Sequence, residues 1–548
     1  MHLTRRILLA AATAGVTLPA TRTFAAPPRT RTSLKDFATD RARAASLRRG
    51  VAAMKALDPI DPQSWWWQGS VHHVDVDLVP DFPRDKPPPS QADRARYWNQ
   101  CPHNLSEEGA NEFLGWHTAY LLCFEEVLRA QSGDPNLDLP FWDYGDPAQR
   151  AIPAIFADAK VRVNAAWEED PNGVLRDNPL YEPLRNPLLT DGGALTEDTV
   201  DVSWFPAVND FTTLAALTSE GWGFGFGGGH SPGHVGVLEV LPHGSVHDSL
   251  GGEVGDRLGL MASTQTAAFD PIFWVHHANI DRLWRQWLCD TPRNWGAYAD
   301  QATLDAWFAK KAWPFRVSAS GDEVLKPRGA YMRAADQPYV YASQATGCPE
   351  PTLAALNDRR DASAVSPRVQ RLRTVAQVGA NAAPVVVDGP SPATVSLTSQ
   401  LPATNDRGVS SVRRALADSR PAAPVRLFLD VSGLEVSGYG RLGYNVFVNL
   451  PRGSPATRAS PHFVGVLKLF GAARRAGAAP DVHAGHRTPV VQTFDVTRLI
   501  PPRAENPKVD VTFAPFELVR ARAGVARPAG RLVVRTMALR LVRGAEGQ

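Results

Sequence analysis

The chain contains little cysteine and no long hydrophobic run. Its 548 residues include 4 cysteines, at positions 101, 123, 289 and 348, and no Cys-x-x-Cys pair. This excludes a disulfide-dense secreted scaffold and a thiolate zinc or redox site, and it allows at most two disulfides. No internal window offers about 18 uninterrupted apolar residues, the length that a membrane-spanning helix needs. We therefore expect no transmembrane segment.

Net charge is also nearly absent, but its distribution is uneven. The formal charge is +2, with a net +3 in residues 1–25, a net −15 in 26–350 and a net +14 in 351–548. A basic tail on an acidic body can bind a polyanion or a membrane, or it can dock on that body. Drift in composition is the remaining explanation.

Glycine and proline, by contrast, are abundant. The 43 glycines and 46 prolines make up about 16% of the chain, against roughly 12% in an average protein. Much of the polypeptide is therefore expected in loops, which argues against a coiled coil or a repeat solenoid.

The N-terminus has the pattern of an export leader. Arg5-Arg6 precedes a short apolar stretch, and a small-x-small site ends at Ala25. This resembles a twin-arginine signal peptide at 1–25, with an ordinary secretory leader as the alternative. The mature protein is predicted to be secreted or periplasmic.

Apolar periodicity divides the rest of the chain into two parts. Apolar side chains recur at helical spacing over 112–130 and again from about 276 to 288, which predicts two strong helices. Residues 346–390 are rich in Ala, Pro, Ser and Arg, which predicts a linker. Beyond it, short β-branched runs such as 425–430 and 509–513 alternate with turn residues, which predicts an all-β module.

The histidines are clustered. Ten of the 14 lie between positions 72 and 277, and the spacing of four between His243 and His247 lets both reach one metal from a helix face. Imidazole-rich sites suit copper, zinc, iron or nickel. The sequence has no His-Glu-x-x-His motif and no nearby carboxylate cluster, which argues against metalloproteases and facial-triad oxygenases. Two groups of three histidines favour a pair of metal ions.

Several motifs resemble those of tyrosinases, catechol oxidases and related polyphenol oxidases. Asp-Pro-Ile-Phe-Trp-Val-His-His-Ala-Asn-Ile-Asp-Arg-Leu-Trp at 270–284 is similar to the family's last ligand motif at the second copper. The segments 238–247, 113–121 and 139–144 resemble further family motifs, and Tyr339-Val-Tyr341 resembles the motif that closes the catalytic core. The order of domains, a catalytic domain followed by a β-domain, is similar to that of the plant enzymes.

The resemblance implies a fold and a set of domains. It implies a mainly α, loop-rich catalytic domain at 26–345, a helical bundle that holds two copper ions. A β-sandwich-like C-terminal domain at 391–548 would follow the linker and shield the copper entrance. Docking of this basic domain on the acidic body would make the enzyme latent.

The resemblance also implies a ligand set. His72, His103 and His117 correspond to the ligands of the first copper, and His243, His247 and His277 to those of the second. His277 is chosen over His276 because the family's ligand lies seven residues after the Asp of Asp-Pro, so His276 is expected to support the ligands. His73 is not expected to bind metal. His230 and His234 also stand four apart, but they lack the Glu and Pro that precede His243.

The first copper site shows one departure from the family. Cys101 stands two residues before His103, a spacing that in some members gives a thioether between the sulfur and the imidazole; a free buried thiol is the alternative. Thirteen residues separate His103 from His117, whereas the family usually has eight. If the polar insertion at 106–110 does not loop out, His103 is misassigned.

The implied reaction is the oxidation of an o-diphenol to an o-quinone with reduction of O2 to water. The family's counterpart of Glu239 orders a water, and an Asn after the first ligand helps it to deprotonate a monophenol. Here Gly244 takes that place and has no side chain to donate, so weak monophenol hydroxylation is expected unless Asp248 compensates. Asp281 is a candidate to orient an imidazole, or alternatively a helix partner of Arg282 or Arg285.

Two smaller expectations and three competing functions complete the prediction. Phe273 is expected to pack on the imidazoles, and 261–269 to line the entrance. A haemocyanin-like oxygen carrier would use the same six histidines, and a tyrosinase with full monophenolase activity is another alternative. A polymer- or nucleic-acid-binding role for the basic module is disfavoured, because aromatic and basic residues do not alternate there.

Overall fold

A computed structural model describes most of the chain. The described residues are 28–102, 112–205, 208, 212–213, 228–229, 235–289, 305–306, 308–310, 313–332, 337–344, 372–399, 411–419, 425–475, 491–500, 507–525 and 529–544. They form a helical domain, residues 28–344, and a β-module, residues 372–544. Among them, no helix combines the length and the apolar character needed to cross a membrane.

Most helices of the helical domain start at a polar capping residue. They are α1 (Leu34–Thr39), α2 (Arg41–Ala56), α3 (Trp65–His72), α4 (Gln91–Tyr97), α5 (Phe113–Ser132), α6 (Ala154–Ala157), α7 (Pro187–Thr190), α8 (Ser245–Gly251), α9 (Ile272–Cys289) and α10 (Gly329–Met332). Asp40 accepts hydrogen bonds from the first amides of α2, and Ser64 accepts one from Trp67 N at the start of α3. Such caps satisfy amides that have no partner within the helix.

The two strong helices predicted from apolar spacing are α5 and α9. α5 ends where Gly133 adopts φ 66°, a conformation that glycine takes without a side-chain clash. α9 begins at Ile272, a turn earlier than predicted, because Asp270 Oδ1 accepts the hydrogen bond of Ile272 N. The two helices pack through the stacked rings of Phe124 and Trp274, whose centroids are 3.4 Å apart.

Short strands tie the loops of the helical domain together. They are β1 (Arg29–Arg31), β2 (Lys160–Val163), β3 (Val174–Asp177), β4 (Ala194–Leu195), β5 (Thr212–Thr213), β6 (Gly228–Gly229), β7 (Glu253–Val254), β8 (Arg257–Leu258), β9 (Phe315–Arg316), β10 (Glu323–Val324) and β11 (Tyr339–Tyr341). β1 pairs in parallel with β11, so the two ends of the domain meet.

The β-module is a sandwich of two sheets. Its strands are β12 (Leu372–Ala380), β13 (Val385–Asp388), β14 (Ala393–Thr398), β15 (Val425–Ser437), β16 (Leu442–Val448), β17 (Phe463–Val466), β18 (Ala473–Arg475), β19 (Gln492–Asp495), β20 (Lys508–Glu517), β21 (Val519–Arg520) and β22 (Arg531–Gly544), with α11 (Val412–Ala417) between them. One sheet has the order β12-β22-β15-β18, with β13 and β19 attached, and the other β14-β20-β16-β17. Their apolar faces share one core, as alternating strands predict.

The predicted linker at 346–390 is too long. Residues 372–380 and 385–388 are strands paired with β22. In the second strand, Val385 and Val387 alternate toward the module's core. Residues 345–371 lie outside the described part of the chain.

The β-module docks on the helical domain. β21 pairs with β4 across the boundary, and Asn186 Nδ2 donates to Gly440 O over 3.2 Å. Basic residues of the module meet acidic residues of the body: Arg458 lies 2.9 Å from Asp201, and Arg475 lies 3.6 Å from Glu253. Some of the module's basic residues therefore pair with acidic residues of the helical domain at this interface.

Candidate metal centre

Two buried clusters of metal-binding side chains lie in the helical domain. The first contains His72, Cys101 and His117, and the second contains His243, His247, His276 and His277. Within each cluster the potential ligand atoms lie within 4.8 Å of one another. The clusters adjoin, since the His117 and His277 rings stack with centroids 4.3 Å apart.

Five separate elements deliver these imidazoles, and one of them, α9, carries both His276 and His277. His72 is the last residue of α3, and His117 lies in the second turn of α5. His243 lies in an irregular turn, Glu239–Gly244, that leads into α8 with His247. The ring centroids of His243 and His247 are 4.6 Å apart, so the spacing of four does bring them together.

Backbone carbonyls orient four of the imidazoles. The Nδ1 atoms of His72, His117, His243 and His247 lie 3.0, 2.7, 3.0 and 2.9 Å from the oxygens of Thr264, Phe113, Glu239 and Met261. A carbonyl oxygen only accepts a hydrogen bond, so Nδ1 carries the proton in each ring. Each Nε2 lone pair is thereby left available to a metal ion.

Burial keeps these imidazoles neutral. Removal from water lowers the pKa of His117 and of His247 to about 3. The same cause, reinforced by neighbouring imidazoles, holds the pKa of His72, His243 and His277 well below its usual range. Neutral imidazole is the form that binds metal.

Aromatic rings wall the site against water. Phe273 lies 4.1 Å from His277 and 5.1 Å from His72, measured between ring centroids. Phe113 lies 4.4 Å from His117 and 4.7 Å from His243. Such packing restricts the rotation of each ligand ring, which pre-organises the donors.

The donor set fits two copper ions. In the part of the chain that the structure describes, His243 Nε2 and His277 Nδ1 are buried and have no hydrogen-bond partner. The Nε2 atoms of His247 and His277 face each other at 3.3 Å. Buried nitrogens without partners are costly, and a cation between the imidazoles would satisfy His243 Nε2 and the facing Nε2 atoms of His247 and His277. Imidazole without a carboxylate cluster suits copper.

His276 and His277 both reach the second cluster. His276 Nδ1 lies 3.3 Å from the hydroxyl of Tyr144, and its ring lies 4.9 Å from that of His247. The choice of His277 as the ligand stays a prediction. His73, which was not expected to bind metal, has its Nε2 3.1 Å from Cys101 O.

Asp281 takes the alternative role predicted for it, that of a helix partner of Arg285, and not that of an imidazole partner. Its carboxylate accepts hydrogen bonds from Thr118, Tyr339 and Tyr341 over 2.6, 2.5 and 2.6 Å. Arg31 and Arg285 lie 3.3 and 3.5 Å away. None of these described partners is an imidazole; the carboxylate, almost fully buried, instead joins β1, α5, α9 and β11.

Some predicted residues lie outside the described part of the chain. They are His103, His230, His234, the leader at 1–25 and Cys348. The predicted thioether to His103 therefore remains untested. Cys101 Sγ lies 3.6 Å from His117 Nε2, and burial raises the pKa of this thiol well above its usual range.

The β-module covers the mouth of the second cluster. The Phe470 ring stacks on His247, with a centroid distance of 4.0 Å and an interplanar angle of 14°. Lys468 Nζ lies 2.5 Å from Glu239 Oε1. Gly244 is beside both, since a Cβ there would stand 3.8 Å from Phe470 Cβ and 4.0 Å from Lys468 Cγ.

Asp248 also contacts the module. It is fully buried, which raises the pKa of its carboxyl to about 7 although the hydrogen bond from Tyr439 opposes the shift. Tyr439 Oη donates to Asp248 Oδ1 over 2.6 Å. In the docked arrangement this carboxylate therefore serves the interface.

Sequence reasoning missed two groups of atoms at the site. The carbonyls of Thr264 and Met261 orient imidazoles and come from 261–269, the segment predicted to line the entrance; that role stays a prediction. Every residue has a carbonyl, so no sequence signal marks them. Phe470 and Lys468 were also not identified, because their role depends on a contact more than 200 residues away in the chain.

Comparisons with known proteins agree with this geometry. Residues 62–289 match a family model described as the common central domain of tyrosinase, and 374–526 match a domain of unknown function. The tyrosinase HcTyr1 of Hahella sp. (strain CCB-MM4) is 33% identical over 261 residues, which cover 45% of this chain and 51% of that protein. A chloroplastic polyphenol oxidase of Malus domestica is 27% identical over 278 residues, which cover 48% of this chain and 41% of that protein.

A solved structure extends the likeness of the fold. Latent apple tyrosinase superposes with a TM-score of 0.50 at 19% identity, covering 95% of this chain and 98% of that one. At this identity the match concerns the fold alone, which includes a helical domain followed by a strand-rich one. The chain spans about half the length of the curated relatives that it matches.

Proposed function

Residues 62–289 match the central domain of tyrosinase, and from this match we propose that the chain is a member of that family and a dicopper oxidase of o-diphenols. Each o-diphenol loses two electrons and two protons and becomes an o-quinone. Two such oxidations reduce one O2 to two water molecules. The observation that carries this proposal is the pair of adjoining buried imidazole clusters, with four Nδ1 atoms held by carbonyls and Nε2 available for metal.

Two copper ions are the cofactor of a tyrosinase central domain. His72, His117 and the undescribed His103 would hold the first ion, and His243, His247 and His277 the second. Copper supplies electron transfer between the diphenol and oxygen. The chain supplies the rest: carbonyls fix the imidazole tautomers, and Phe113 and Phe273 exclude water.

We expect monophenol hydroxylation to be weak. Gly244 offers no side-chain amide next to Glu239. Asp248, the candidate to compensate, accepts its hydrogen bond from Tyr439 on the module. This favours diphenol oxidation over the alternative of a full monophenolase.

Latency is the second part of the proposal. A substrate ring cannot stack on His247 while Phe470 occupies that face. Cleavage within 345–371, followed by release of the module, should therefore raise diphenol turnover. Export through the leader at 1–25 is proposed from the twin-arginine pattern alone.

The test measures copper content together with turnover. The copper-loaded chain is assayed with a catechol and with the matching monophenol, before and after limited proteolysis, following quinone absorbance and oxygen uptake. We expect two coppers per chain and quinone formation that rises on cleavage. Reversible oxygen uptake without quinone would support the carrier alternative, and unchanged turnover of a trimmed core would refute latency.

A further inference from the structure

Two side chains of the β-module fill the mouth of the second cluster. Phe470 and Lys468 stand two residues apart, after the end of β17, and both are buried. Gln492 holds this segment in place, accepting a hydrogen bond from Lys468 N and donating one to Lys468 O, each over 2.8 Å. The segment is thus presented in one defined position.

The ring of Phe470 lies where an aromatic ligand would be expected. It is nearly parallel to His247 and meets the edge of His243 at a centroid distance of 5.7 Å. An offset-stacked ring is a favourable arrangement for any aromatic group on an imidazole face. Phe470 alone would block that face.

Lys468 is not needed to keep a ligand off the face of His247, because the ring of Phe470 already covers that face. Its side chain is 5% exposed and that of Glu239 is 1% exposed, so both charges have been removed from water. A buried ion pair is often no more stabilising than apolar residues of the same size. The ammonium is therefore better explained by the carboxylate that it meets inside the pocket.

Gly244 brings the two contacts together. The Cβ of Phe470 and the Cγ of Lys468 both approach this residue, so the ring site and the carboxylate site share one compartment. A ligand with an aromatic ring and a short cationic arm would make both contacts at once. Displacement of the module would take from Glu239 the ammonium that Lys468 supplies.

We infer that the buried carboxylate of Glu239, which Lys468 meets in the docked chain, makes the opened site prefer o-diphenols that carry a protonated amine on a short alkyl chain. This inference rests on the proposed diphenol oxidation. The diphenol ring takes the place of Phe470 on His247, and its ammonium takes the place of Lys468 on Glu239. A neutral side chain loses the second contact, and a carboxylate side chain is repelled.

The test opens the site without cutting the chain. The full-length Lys468→Met/Phe470→Ala variant is assayed with 3,4-dihydroxyphenethylamine, 4-ethylcatechol and 3-(3,4-dihydroxyphenyl)propanoic acid. We expect kcat/KM to be about tenfold higher for the amine than for the neutral catechol, the size of one charge-assisted contact, and lowest for the acid. Adding Glu239→Gln should lower kcat/KM for the amine to the value for the neutral catechol.

A binding measurement gives a second readout that needs no turnover. Copper-free Lys468→Met/Phe470→Ala protein is titrated by calorimetry with 2-phenylethylamine and with 2-phenylethanol. The amine should bind about tenfold more tightly, and Glu239→Gln should remove the difference. Arg475→Met is the control, because it breaks a contact of the module with Glu253 and leaves Lys468 and Phe470 in place.

The outcomes separate the two proposals. If 4-ethylcatechol is turned over but the amine has the same kcat/KM as the neutral catechol, or the same affinity as 2-phenylethanol, the inference is overturned and diphenol oxidation stands. No turnover of any catechol by the copper-loaded chain overturns the proposed function. If the double variant does not fold, Lys468→Gln/Phe470→Leu keeps more of the packing and is measured in the same two ways.

Discussion

The metal centre has two walls, and they are built differently. On the helical side, backbone carbonyls hold the imidazoles and aromatic rings pack around them. On the module side, a single ring and a single ammonium reach into the mouth. A wall of carbonyls cannot be lost by one substitution of a side chain, whereas the two module contacts can. We therefore expect the helical wall to determine the chemistry of the site and the module wall to determine access to it.

Replacing a ligand should have the largest effect, because it removes the centre on the helical side. His247→Ala deletes one Nε2 donor and the ring on which Phe470 stacks. We expect loss of one of the two copper ions and turnover at background, measured by metal analysis and quinone absorbance. His462→Ala, on the β-module, is the matched control. Retention of both copper ions in His247→Ala would contradict the ligand assignment.

Acid should destabilise the helical wall when copper is absent. The pKa of His117 and of His247 is lowered to about 3, whereas an unfolded histidine titrates near pH 6.5. Below pH 6.5 the unfolded chain binds protons that the folded chain does not, so stability falls as the pH drops from 6.5 toward 3.

Denaturant unfolding of the copper-free protein at pH 7 and at pH 5.5 measures this effect. Each of these two histidines should lower the free energy of unfolding by about 1 kcal/mol over that interval. His247→Asn removes one titrating group and should reduce the difference. Equal stability of the copper-free protein at both pH values would mean that these imidazoles are not held neutral.

Weakening the contacts of the β-module should let more substrate reach the metal centre, while the imidazoles and their carbonyl partners stay in place. Phe470→Ala removes a fully buried ring from the mouth, and loss of even about 1.4 kcal/mol of docking free energy corresponds to tenfold in the open population. We expect diphenol turnover of the uncut chain to rise at least about tenfold with an unchanged copper content. Arg475→Met should raise it less, because its partner pair is partly exposed. A drop in copper content would show that the ring belongs to the centre itself.

The smallest effect should come from the support of one ligand helix. Ser64 accepts a hydrogen bond from Trp67 N at the start of α3, and α3 ends on His72. Ser64→Ala should lower the free energy of unfolding by about 1 kcal/mol, measured by chemical denaturation, with turnover almost unchanged. Ser64→Thr, which keeps the hydroxyl, is the control, and a large loss of first-site copper would show that the cap also positions His72.

Much of the helical domain could be predicted from sequence because its signals are local. Apolar spacing indicated α5 and α9, and the motif around Asp270 indicated the histidines of α9. The start of α9 was missed because the Asp270 cap adds a turn. The linker was predicted too long because the Ala-rich and Pro-rich composition of this region is typical of linkers. The strands at 372–380 and 385–388 were therefore missed.

Asp281 shows where local reasoning fails. Its position four residues after His277 suggested either an imidazole partner or a surface ion pair. It does pair with Arg285 on the same helix, but it is buried, and its hydrogen bonds come from Tyr339, Tyr341, Thr118 and Arg31, which lie 58, 60, 163 and 250 positions away. A buried carboxylate takes whichever donors the packing brings to it, and spacing along one helix does not reveal donors on other elements.

The sequence by itself determined the resemblance to tyrosinases, the histidines that could bind metal and the division into an acidic helical part and a basic β part. These depend on which residues are present and on short-range spacing. Only the tertiary structure decided which carbonyls orient the imidazoles and which two side chains enter the mouth. The reason is physical: carbonyls are chemically the same in every residue, and Phe470 and Lys468 acquire a function only where two distant surfaces meet.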